Sequence, residues 1–224
     1  MARGKLDALK GTIFIVTYGR SGSTLLQTLL QSIPDSHILG ENYNALMGLF
    51  QAAKSVRRSR AKKGGKERPA NDPWYGASGL VPKRFEHRLA RVFLEEVLQV
   101  PEGCRWVGFK EIRYTQAEDD FDAFLMFIRR AFPNAFFVFN SRNVDDVMKS
   151  KWWANQPPEK VRKLVLKMDE RFAEFAKEHP DFSHHVFYEQ TVADPKTLQP
   201  LFDKLGEPLN LELAHEKLAE RLTH

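Results

Sequence analysis

The sequence predicts an α/β protein, with a largely parallel sheet layered against helices. Two observations carry this. Short apolar, β-branched or aromatic runs alternate with segments of helical period along the chain. The strand-like runs are apolar on both faces, as strands of a buried parallel sheet must be. At 224 residues, 42% hydrophobic and 28% charged, the chain is long enough to bury a substantial core without a metal or disulfide staple. That composition excludes disordered, collagen-like and low-complexity chains. We therefore expect one domain over residues 1–224.

Gly11-Thr-Ile-Phe-Ile-Val-Thr-Tyr18 reads as the first strand. After Gly22 the period changes, and Leu25, Leu26, Leu29, Leu30 and Ile33 share one helical face until Pro34. His37–Gly40 suits a short second strand, with helix from about Asn44. Phe85–Val100 suits a helix and Arg105–Lys110 a buried strand. The next helix is expected to hold Glu118, Asp119 and Asp120 in its first turn and Arg129 and Arg130 in its last, matching the helix dipole at both ends. Ala135–Phe139 is another buried strand. Val161, Leu164, Val165, Met168, Phe172 and Phe175 mark a long helix ending before Pro180. His185–Tyr188 reads as a last strand, before two closing helices.

The net charge of +5 is unevenly spread. Between Gln51 and Arg68 eight basic residues face one acid, so this segment carries +7 and the rest of the chain −2. It lies in a stretch, about 51–82, expected to be an irregular basic insertion. Such a patch suits a polyanion or anionic ligand, or is simply a solvated loop. A nucleic-acid module would need interleaved aromatics or a recognition helix, which the segment lacks. The single cysteine, Cys104, excludes an internal disulfide and suits a reducing, cytoplasmic setting. Asp7 and Lys10 interrupt the start of the chain, and neither a signal-peptide core nor a membrane span is expected. His184 and His185 are adjacent and would face opposite ways on a strand, and no residue spacing suggests a metal site.

Ligands of open α/β sheets bind beyond the carboxyl ends of the strands. At the first such end lies Tyr18-Gly-Arg-Ser-Gly-Ser-Thr24, opening straight into a helix. Gly19 and Gly22 permit tight turning. Free N–H groups at the helix start, the Ser21, Ser23 and Thr24 hydroxyls and the Arg20 charge make an anion cradle. Aligned with the nucleotide-hydrolase loop G-x-x-x-x-G-K-[ST], the segment has Thr17 in place of the first Gly and Ser23 in place of Lys, which disfavours an ordinary ATPase or kinase.

Gly19-Arg-Ser-Gly-Ser-Thr-Leu-Leu26 resembles the 5′-phosphosulfate loop of sulfotransferases that use 3′-phosphoadenosine 5′-phosphosulfate (PAPS). Arg142-Asn143, after the buried Phe137-Val-Phe139, with Ser150 eight residues beyond the Arg, resembles that family's 3′-phosphate signature. Val144 stands where many members have Pro. Tyr188-Glu-Gln-Thr-Val-Ala-Asp-Pro195 and Leu205-Gly-Glu-Pro208 resemble a run near the family's C-terminal end, whereas the Gly-rich basic loop of the cytosolic small-molecule branch is absent.

The resemblance implies a three-layer P-loop nucleotide-kinase-like fold with a mostly parallel sheet of four or five strands. It also implies sulfonate transfer from PAPS to an acceptor hydroxyl, more in the style of the carbohydrate, tyrosyl-protein and bacterial branches, with adenosine 3′,5′-bisphosphate as product and no metal. Gly19, Arg20, Ser21, Gly22, Ser23, Thr24, Arg142 and Ser150 would bind the donor. Arg20 and Lys110 would act at the transferring group. Glu41 resembles the carboxylate base of some branches; its alternative role is to start the next helix. The rival readings are a P-loop nucleotide kinase or NTPase and a polyanion-binding module built on residues 54–68.

Overall fold

A computed structural model of the chain describes Leu6 and residues 8–153 and 155–222. The start of the chain, on which the expectation of no signal peptide rests, lies mostly outside the described residues. Five strands form one parallel sheet: β1 (Gly11–Val16), β2 (Ser36–Leu39), β3 (Trp106–Glu111), β4 (Phe136–Ser141) and β5 (Ser183–Phe187), in the order β2-β3-β1-β4-β5. β1 is central and buried at every residue. Its alternate side chains feed two cores. Ile13 and Ile15 point to one face, where they meet Leu25, Leu26, Leu29 and Leu30 of α1 (Ser23–Gln31). Phe14 and Val16 point to the other.

The second face is covered by α2 (Ala45–Lys63), α3 (Pro82–Val92), α4 (Phe121–Ala131) and α6 (Pro158–Glu178), with the short α5 (Val144–Met148) following β4. The first face is completed by α8 (Gln199–Leu205) and α9 (Leu211–Leu222), while α7 (Tyr188–Ala193) continues directly from β5. α6 docks through aromatic rings: Phe172 stacks on Phe139 with centroids 5.1 Å apart, and Phe175 meets Phe137 edge-on at 5.7 Å. Such pairs add about 0.5–1.5 kcal/mol each beyond the area they bury. They also fix where Asp169, one turn before Phe172, must sit.

Two expectations are corrected. Residues 51–63 are not irregular, because α2 runs unbroken to Lys63. Ala, Arg and Lys are good helix formers, and Arg60, Lys62 and Lys63 favour the negative end of the helix dipole. Three of the eight basic residues of the patch find acidic partners within the protein. Lys54 pairs with Asp120, Arg57 with the buried Glu86, and Arg68 with Asp72 at 2.9 Å. Second, Glu118, Asp119 and Asp120 do not open α4. They end a 3-10 segment broken at Glu118 (φ 44°), and α4 starts at Phe121 with Asp122 as its first-turn acid.

Gly108 is where β3 passes closest to β1. It pairs with Ile13, and a Cβ added there would lie 1.8 Å from the Ile13 carbonyl oxygen. Backbone in a central strand cannot yield. Gly108→Ala is expected to cost about 2–3 kcal/mol or more in urea unfolding, as overpacking of a closed core does; an unchanged midpoint would contradict this packing.

Candidate active site

The carboxyl ends of β1, β3 and β4 meet around a cleft of about 300 Å3, lined by residues that include Arg20, Ser23, Thr24, Lys110, Arg142 and Glu41. Gly22 caps α1 in the left-handed region (φ 78°) and no side chain caps the helix, so its first N–H groups stay available for an anion. A Cβ on Gly22 would strike the Tyr188 ring at 2.3 Å. Arg20 also has positive φ (70°), a conformation kept only where the surroundings enforce it.

The enforcement comes from below. Asn140 Nδ2 donates to the Ser21 carbonyl at 2.9 Å, and the Thr17 hydroxyl donates to the Asn140 carbonyl at 2.7 Å. Ser21 Oγ lies 2.7 Å from Thr17 Oγ1 and is wholly buried. This corrects the expectation for Ser21: its hydroxyl holds the loop against the strands and does not face the cleft.

Arg142 stands at the tip of β4, beside the tip of β1. Its Nη1 donates to the Arg20 carbonyl at 3.2 Å and its guanidinium lies 4.6 Å from the Tyr188 ring centroid. Its Nε is buried without a hydrogen-bond partner, a donor left for something else to satisfy. The Asn143 N–H donates to Glu189 at 2.9 Å, and the Asn143 side chain caps α5 by accepting from Asp145 and Asp146 N–H. Ser150 is not among the residues lining the cleft. Its hydroxyl accepts from the Trp152 N–H at 3.4 Å, in the turn that brings Trp152 to the cleft rim.

Behind Arg142 lies a buried polar cluster. The Tyr18 hydroxyl donates to Asp169 at 2.9 Å and accepts from the Arg142 N–H at 2.9 Å. Ser141 donates to the same Asp169 oxygen and sits 2.7 Å from His185 Nε2. With its hydrogen committed to Asp169, Ser141 accepts from Nε2–H, which fixes the His185 tautomer. Burial, then the charge of Asp169, pushes the Tyr18 phenol up. Burial pushes the Asp169 carboxyl up, against the hydrogen bonds of Ser141 and Tyr18, with Glu189 adding to the rise.

On the β3 side, Glu41 accepts from Lys110 Nζ at 2.8 Å and from Arg113 Nη1 at 2.7 Å. Burial pushes its carboxyl up, but hydrogen bonds and charge from Lys110 and Arg113 outweigh this and hold it below the usual carboxylate range. α2 begins only at Ala45, so Glu41 is not in its first turn. Lys110 is no free surface lysine; its side chain is 11% exposed. Arg113 was not picked out in the sequence, nor was the wholly buried Glu111, which accepts from the N–H groups of Asn42, Asn44, Ile112 and Arg113 and so shapes the loop carrying Glu41. The available signal was position, since both sit at or just past the carboxyl end of a buried strand.

Among the described residues, no group of three His, Cys, Asp or Glu is arranged to hold a metal ion, and no helix is long and apolar enough to cross a membrane.

His185 gives this site a pH signature. Burial, then the neighbouring His184, lowers its pKa to about 4, so the folded protein keeps it neutral while the unfolded chain protonates it near 6.5. Stability from this group is therefore present above about pH 6.5 and lost as pH falls towards 4; the raised Asp169 opposes this over part of that range. Urea midpoints at pH 7 and pH 5 should differ more for the unaltered chain than for His185→Gln. Equal differences would show that His185 is not held neutral by this cluster.

Comparison with known proteins bears on the family and the fold. No curated protein matches the chain by sequence. Among solved structures it is similar to a sulfotransferase from Alicyclobacillus acidocaldarius, with 16% identity over 88% of this chain and 81% of that one and a TM-score of 0.52; this likeness bears on the P-loop-like α/β fold. It also matches a thymidylate kinase from Candida albicans, with 12% identity over 80% of this chain and 84% of that one and a TM-score of 0.41. The family model described as "Sulfotransferase family" matches residues 12–210. With its three-layer parallel fold and a cation-lined cleft at the strand tips, the chain belongs to the sulfotransferase family.

Proposed function

We propose that the protein transfers the sulfonate group of PAPS to a hydroxyl of a carbohydrate, acting in the cytoplasm through one α/β domain over residues 1–224. The observation that carries this reading is the hydrogen bond from Arg142 Nη1 to the Arg20 carbonyl, which draws both strand-tip signatures into one cleft. The residues fit such a donor. Four cations, Arg20, Lys110, Arg113 and Arg142, line the cleft against one carboxylate, Glu41. The uncapped start of α1 offers N–H groups to a 5′-phosphosulfate, and the unpartnered Arg142 Nε offers a bond to a 3′-phosphate.

When bound, the donor supplies an activated sulfonate on a phosphate leaving group. Arg20, Ser23, Thr24 and the α1 N–H groups hold the phosphosulfate in line with the acceptor, which is most of the catalysis such a loose displacement needs. A lone pair of the acceptor oxygen forms the new S–O bond, and the S–O bond to the 5′-phosphate breaks with its electron pair staying on that phosphate. Glu41, ionised by its two cations, takes the hydroxyl proton late in the step. Lys110 and Arg20 offset the charge on the equatorial and leaving oxygens.

The carbohydrate assignment is supported by the exposed Tyr43 ring beside Arg113, an apolar face with a polar edge suited to a sugar. The single cysteine, buried in the core, supports a reducing compartment.

Thermal-shift measurement separates this reading from a nucleotide kinase or NTPase. Adenosine 3′,5′-bisphosphate without metal should raise the melting temperature, with about 2.7 kcal/mol gained at 100 times its Kd. Stabilisation by ATP with Mg²⁺ alone would contradict the proposal.

A further inference from the structure

Glu41 is bonded to two cations whose other attachments differ. Arg113 is anchored three ways: the Nη1 that meets Glu41 also donates to the buried Glu111 at 2.9 Å, and its guanidinium lies 4.6 Å from the Tyr43 ring centroid. Glu111 is itself immobilised by the main-chain N–H groups it accepts. Lys110 donates to Glu41 from the end of a flexible four-carbon stem. Both cations line the cleft with the Arg20 loop, so a sulfonate bound there competes with Glu41 for whichever cation can move.

We propose that Lys110 is shared between Glu41 and the donor's sulfonate, exchanging one for the other, whereas Arg113 remains a fixed positioning residue that keeps Glu41 in place. This rests on the PAPS reading above and adds to it a link between donor and base: the group that arrives with the donor is the one that loosens Glu41 towards the acceptor. The backbone supports such a division. Tyr43 and Asn44 both have positive φ (60° and 56°), a costly arrangement that the Glu111 hydrogen bonds maintain, so the loop beside Glu41 is set by the Glu111–Arg113 side of the site.

Titration calorimetry without any acceptor tests this, measuring Kd for PAPS and for adenosine 3′,5′-bisphosphate, which lacks the sulfonate. Glu41→Gln removes the competitor for Lys110, so PAPS should tighten relative to the bisphosphate by about threefold or more, exposed ion pairs setting the lower bound for this more buried one. In a Lys110→Ala background the same substitution should leave the ratio unchanged. Arg113→Ala should shift the ratio the opposite way, because Glu41 then leans on Lys110 alone, and Arg113→Lys should restore it. Equal tightening of both ligands by Glu41→Gln would reflect only the field of one lost negative charge and would overturn the sharing of Lys110, as would no change. If the unaltered protein binds neither ligand, the PAPS reading itself falls and this inference with it.

Discussion

The site depends on how the tips of two adjacent strands are tied together. β1 and β4 end side by side, and main-chain hydrogen bonding between them stops where the chain turns away to form loops. From there side chains take over. Tyr18 reaches from the β1 loop to the Arg142 N–H, Asn140 reaches from β4 to the Ser21 carbonyl, and Thr17 bonds back to Asn140. These groups are buried, so breaking any one leaves a polar atom without water and costs more than the bond alone is worth. Arg20 in a left-handed conformation and Arg142 pressed against it follow from these ties.

The same device recurs one layer further out. Asp169 receives both Tyr18 and Ser141, and it is delivered by α6, whose position is set by Phe172 and Phe175 packing on β4. At the C-terminal side, Tyr188 faces Arg142 and approaches Gly22, while Glu189 takes the Asn143 N–H. Far from the cleft, Glu207 is gripped by Lys10, Arg105 and the Trp106 indole, fastening the segment after α8 to the opposite ends of β1 and β3. The C-terminal run that looked in sequence like a family signature therefore has a mechanical meaning: one end of it braces the anion loop and the other pins the sheet.

Much of this architecture was legible in the sequence because it is periodic. Runs such as Phe136–Phe139 and the helical face of Leu25, Leu26, Leu29 and Leu30 declare a buried strand and a covering helix without any tertiary knowledge. Gly19–Thr24 was legible for a different reason, since loops after buried strands have few physical uses as rich in donors as this one. What could not be read was whatever depends on distant partners. Whether Ser21 points at a ligand or at Thr17, and whether Lys54 and Arg57 face solvent or Asp120 and Glu86, is decided by residues far away in the chain. The helix expected from about Asn44 runs on through the basic segment to Lys63, a continuation hidden in the sequence because the dense charge and nearby Gly and Pro mask the helix-forming tendency of Ala, Arg and Lys. Arg113 escaped because one arginine past a strand end carries no pattern of its own.

The central claim is that one nucleotide bridges the β1 and β4 tips. A crystal structure of the protein soaked with adenosine 3′,5′-bisphosphate tests it most directly. The 5′-phosphate should lie against the N–H groups at the start of α1, with the 3′-phosphate accepting from Arg142, including its Nε. A bisphosphate bound away from either tip, or gripping the loop with its 3′-phosphate pointing away from Arg142, would contradict the account.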